Sequence, residues 1–137
     1  MKKSFFMVTL CLLLAMSGCG KAGKEKPEAE TDPYAGEYND YDVDEPNLEI
    51  RKNTDGTYTI QMGIFRLAYL DDGVGKAVEN GVEFVATAPN GEKAKGIITL
   101  EEEIATVTFT DGWSDFSDIE KFQYYKTSDV PNINEPE

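Results

Sequence analysis

The chain has 137 residues, of which 26 are acidic and 13 basic; it contains no histidine and carries a net charge of −13. That length has room for one domain and none for a separate cofactor-binding domain. The acidic field repels nucleic acid, and the missing imidazole removes the commonest general base and metal ligand; no nucleic-acid partner, cofactor or metal is expected.

The chain opens with "MKKSFFMVTLCLLLAMSGCG". Lys2 and Lys3 precede an almost unbroken apolar run from Phe5 to Met16, followed by small residues. As a helix that run would extend about 18 Å, short of the roughly 30 Å of bilayer hydrocarbon. A charged start, a short apolar centre and a small-residue exit predict a secretory signal over residues 1–18. Cys11, inside the apolar run, is an apolar filler lost with it.

Met16-Ser17-Gly18-Cys19 resembles the lipobox of bacterial lipoproteins, with Met16 where that family most often has Leu. The resemblance implies cleavage before Cys19, a diacylglyceryl group on its thiol and acylation of the freed amine. It thereby implies a lipid-anchored protein on the extracytoplasmic side of a cell membrane or envelope. Cysteine arithmetic agrees, because without Cys11 the mature chain holds no disulfide partner for Cys19. Several acyl chains hold where one binds only reversibly.

Residues 19–33 include "GKAGKEKPEAETDP", which has no large apolar side chain to offset the entropy of ordering and is read as a tether. Its lysines, Lys21, Lys24 and Lys26, either approach anionic headgroups or are simply solvated. Without residues 1–18 the chain keeps 11 basic and 26 acidic residues, a net charge of −15.

The folded domain is expected over residues 34–127, ahead of a polar tail at 128–137. Period-two alternation predicts strands near 35–42, 47–52, 57–63, 64–70, 74–79, 82–88, 94–100, 103–110 and 120–126. Asp55-Gly56, Asp72-Gly73, Asn80-Gly81, Asn90-Gly91 and Asp111-Gly112 are read as tight turns with positive φ. The inward set is Leu48, Ile50, Tyr58, Ile60, Met62, Val82, Phe84, Ala86, Ile98, Leu100, Ala105, Val107, Phe109, Phe122 and Tyr124. The alternation changes phase between Met62 and Phe65, Leu67 and Tyr69, which places a bulge or bend at Gly63. The fold class is therefore all-β: a single small antiparallel meander barrel or sandwich of about eight strands. "YAGEYNDY", "DGTYTI", "GVEFVATAPNG" and "ATVTFTDGW" are similar to small lipocalin-like lipoproteins of gut-dwelling bacteria, over roughly residues 34–126. That resemblance implies a fold and assigns no activity.

Three groups bear on chemistry. Asp40, Asp42 and Asp44 share the spacing of half a calcium loop, but Glu45 stands where its turning Gly is needed and Arg51 where its bidentate Glu is needed. They read as a solvated acidic connection. Glu101, Glu102 and Glu103 adjoin one another, whereas a glycosidase needs two carboxylates facing across a substrate. Ser114 and Ser117 have no His, and nothing marks Lys93 or Lys95 as a desolvated base. No catalytic residue is assigned. The aromatic side chains of Trp113, Phe116, Tyr58, Phe84 and Tyr124 either plug the barrel or line a ligand site; Tyr34, Tyr38 and Tyr41 pose the same choice. The expected function is binding of a small apolar molecule or an envelope protein. The alternative is an inhibitor or interaction module acting on a basic wall-degrading enzyme, and the third reading is a carboxylate-based enzyme.

Overall fold

The computed structural model describes residues 32–40, 47–64 and 66–133. They form eight strands: β1 (Gly36–Asn39), β2 (Leu48–Lys52), β3 (Thr57–Ile64), β4 (Ala68–Val78), β5 (Gly81–Thr87), β6 (Lys93–Glu101), β7 (Ile104–Asp111) and β8 (Lys121–Ser128). Each pairs antiparallel with the next, and β8 returns to β1, so the sheet closes into a barrel with no free edge. Eight alternating strands bring the start of β1 and the end of β8 to the same end of the barrel. The ends of β1, β3, β5 and β7 and the starts of β2, β4, β6 and β8 lie at the other.

Alternation decides which side chains fill the interior. Leu48 and Ile50 of β2, Tyr58, Ile60 and Met62 of β3, Val82, Phe84 and Ala86 of β5, Ile98 of β6 and Ala105, Val107 and Phe109 of β7 are all buried, as their parity requires. Leu100 and Phe122 are partly buried against this core.

The middle of the meander differs from the sequence expectation. Segments 64–70 and 74–79 are not two strands separated by an Asp72-Gly73 turn, because β4 runs unbroken through that dipeptide. Alternation in β3 continues past Gly63 to a buried Ile64, and the chain reverses after it, with Leu67 N–H donating to Ile64 O at 2.9 Å and Arg66 at φ 57°. The bulge lies in β4. Ile60 faces Gly73 and Met62 faces Leu70, so β4 carries one extra residue at Asp71–Asp72. The inward set of β4 accordingly passes from Leu70 to Gly73 and Gly75, while Leu67 and Tyr69 are exposed.

Asp72, in the bulge itself, ties it to the neighbouring strand β5. Its carboxylate accepts the Thr87 N–H at 2.7 Å and the Thr87 hydroxyl at 2.5 Å, with Lys93 Nζ at 3.5 Å. These contacts keep the Asp72 carboxyl below its ordinary pKa: the Thr87 hydroxyl contributes most, partly opposed by burial and assisted by the Thr87 N–H and Lys93. Asn80-Gly81 does mark a reversal, but Gly81 has no positive φ; Gly56, Gly91 and Gly112 do.

Candidate functional site

The five aromatic residues singled out from the sequence do not converge on one site. Trp113 stacks on Phe109 with centroids 4.0 Å apart, meets Phe116 edge-on at 4.9 Å, and donates its indole N–H to Ile119 O at 2.7 Å. Phe84 joins this group through Phe109 at 5.6 Å. Tyr58 stands apart, donating its hydroxyl to Asp32 at 2.7 Å. Tyr124 crosses the interior to donate to Gly63 O at 3.1 Å, and burial is the main reason its phenol is raised far above the ordinary range. Trp113, Tyr58, Phe84 and Tyr124 are each at most 2% exposed, and Phe116 is partly buried. Their contacts are those of core packing.

A polar cluster gathers at the end of the barrel where β1 starts and β8 ends. Asp32 accepts from Lys52 Nζ at 2.9 Å, from Tyr58 and from the Tyr34 N–H at 2.9 Å. Burial pushes its carboxyl upward, but the bonds from Lys52, Tyr58 and Tyr34 outweigh it and the pKa falls below the ordinary value. Tyr38 donates to Tyr34 O at 2.7 Å, and Lys126 Nζ donates to Pro33 O at 3.0 Å. Every one of these groups is engaged in holding the start of the domain against the barrel.

The candidate binding site is on the outside. A groove of about 550 Å³ lies across β3 to β7, with Gly75, Phe84 and Gly96 backbone at its floor. Two cross-strand rows build it: Val74, Val85 and Lys95 in one, and Thr57, Lys76, Glu83 and Ile97 in the other. Val74 is 57% and Val85 40% exposed, unlike the buried residues beside them. The floor follows from the inner face. Gly75, Phe84 and Gly96 are register partners, and a Cβ on Gly96 would lie 2.7 Å from the Phe84 ring, so only glycine lets β6 approach it.

Sequence reasoning missed these outward residues, since it followed parity inward. The available signal was apolar residues at positions where alternation calls for polar ones: Val74 in "DGVGK", Val85 in "VEFVAT" and Ile97 in "KGIITL".

The remaining candidates are dispersed. Glu101 ends β6, with Glu102 and Glu103 in the two-residue reversal after it, all exposed. Ser117 Oγ accepts the Ile119 N–H at 3.1 Å, and Lys95 pairs with Asp111 at 3.8 Å. Among the described residues no group of three or more His, Cys, Asp and Glu is placed to hold a metal. Cys19, Tyr41, Asp42, Asp44 and Glu45 lie outside the described residues. Comparison with protein-family models, curated proteins and solved structures yields no match.

Proposed function

We propose that this protein is a lipid-anchored, extracytoplasmic binding protein that holds a small molecule with an apolar part in the groove across β4, β5 and β6. The groove itself carries the reading. Its volume of about 550 Å³ falls within the roughly 300–1,000 Å³ usual for small-molecule sites, and exposed valines beside a few charged groups are the expected lining. The anchor half rests on the lipobox at Cys19. Native mass spectrometry of the protein purified from its own envelope tests the groove. The expected result is a retained small molecule that is lost in Val85→Arg; retention in Val85→Arg with loss in Trp113→Ala would place the ligand inside the barrel instead. Cys19→Ala should release the protein from the membrane and abolish cleavage before residue 19. An unlipidated mature chain starting at another residue would overturn the anchor.

The inhibitor reading has its own support. The β7–β8 loop presents exposed Asp115, Asp118 and Glu120 at the end opposite the start of β1. An anchored domain would direct that acidic end toward a basic protein partner. A pull-down from host envelope, washed at low and high salt, separates the two readings, because loop-mediated capture is lost with salt and leaves the groove ligand in place.

A further inference from the structure

We infer that the ligand of this groove is an amphipathic anion, its acid group held by Lys76 and its short apolar chain laid over Val74, Val85 and Ile97. The inference rests on the groove reading above and adds the chemical class.

Charge is the first reason. The whole chain has twice as many acids as bases, yet the groove lining inverts that ratio, with Lys76 and Lys95 against Glu83 alone. Lys76 and Glu83 are cross-strand partners, yet among the described residues no ion pair within 4 Å joins Lys76 to Glu83 or to any other carboxylate. Lys95 has only a loose 3.8 Å contact to Asp111, with both side chains more than half exposed. A cation left without a close partner is a local site for an external anion, one that a small monoanion can reach despite the acidic field that repels a polyanion.

Layout is the second reason. Lys76 on β4 and Lys95 on β6 stand at diagonal corners of the two rows, with Val85 on β5 between them and Ile97 two residues along β6 from Lys95. Strands about 4.8 Å apart and residues about 3.3 Å along each strand put the two lysine backbones on the order of 12 Å apart. That span suits an acid group with a chain of about eight carbons. A rigid polyanion such as a nucleic acid would leave the valines uncovered, and a neutral hydrocarbon would leave the lysine unmatched.

The test uses the full chain in lipid nanodiscs with valine methyl groups labelled with ¹³C, so that the shifts of Val74 and Val85 report the groove and not ligand dissolved in lipid. Octanoate, octyltrimethylammonium and octyl glucoside are titrated in parallel, each below its critical micelle concentration. Octanoate should shift both methyls saturably and the cationic probe should not. Lys76→Glu should weaken octanoate by about fivefold, the upper end for one exposed charge contact, because the reversed charge also repels the acid group. Lys121→Glu, the same charge change on β8 outside the groove, should leave it unchanged. Equal binding of all three probes, or equal weakening by Lys121→Glu, would overturn the anionic class and leave the groove reading standing. No saturable shift of Val74 or Val85 with any probe would overturn both.

Discussion

Asp32 shows how much one side chain can organise. It lies ahead of the first strand, yet its carboxylate gathers Lys52, Tyr58 and the Tyr34 N–H, so β2, β3 and the incoming chain are joined at one point. Its pKa is depressed in the folded state, so the unfolded chain binds the proton more readily and stability rises with pH through the carboxyl range. The stabilisation is fully present above the ordinary value of 3.8 and is lost as pH falls through the lower folded value. Asp32→Asn keeps an acceptor for Tyr58 but removes the charge facing Lys52, and should cost about 1 kcal/mol at neutral pH. Thermal melts from pH 7 to pH 2 should show the gap between the wild type and this variant closing as the pH drops below about 4. A gap of constant size would mean that the charge contributes nothing.

At the scale of elements, β4 and β6 are shaped by residues without side chains. Gly73, Gly75 and Gly96 all face inward, where Ile60, Val82 and Phe84 occupy the space a Cβ would need. Gly96→Ala forces a methyl group to within 2.6 Å of the Thr108 carbonyl oxygen and 2.7 Å of the Phe84 ring and should destabilise the domain by about 1–3 kcal/mol. Phe84→Leu in the same chain should recover only the part of that loss due to the ring, since the Thr108 carbonyl stays in place. A denaturant-melt double-mutant cycle reads the coupling, and strictly additive losses would place the strain elsewhere. The β4 bulge makes a separate prediction. Thr87→Val removes the hydroxyl that Asp72 accepts, leaves the backbone N–H bond, and should cost about 0.5–1.5 kcal/mol while exposing the amides of residues 71–73 to faster hydrogen exchange.

For the molecule as a whole, closure of β8 on β1 makes the barrel one cooperative unit. The contacts that secure it extend past the strands. Asn132 and Ile133 donate backbone N–H groups to Glu49 at 2.8 and 3.1 Å, Asn132 also donates to Glu37, and Arg51 donates to Ile133 O at 3.1 Å. With Asp32 at the other end of the described residues, these bonds tie the segments before β1 and after β8 to β1, β2 and β3. Fragment 32–133 should therefore melt in a single transition, and fragment 34–127 should also fold but melt about 5 °C or more lower, the shift expected of roughly 1 kcal/mol in a domain of this size. Equal melting temperatures would show that the end contacts add no stability.

Period-two alternation by itself determined the all-β class, the approximate strand number and most of the core outside β4, because parity assigns each side chain to one face regardless of what the strand pairs with. It could not place the bulge. Asp72-Gly73 has the composition of a turn, and only the partner strands decide otherwise: Thr87 of β5 meets the Asp72 carboxylate, and Ile60 of β3 lies against Gly73. The same limit hid the candidate site. Val74, Val85 and Ile97 are far apart in the chain and face away from the core, so nothing local links them, and their meeting with Lys76 and Lys95 is set by register across three strands. Tertiary structure decided the groove because a surface site is a product of strand pairing, whereas a core is already implied by the pattern of each strand alone.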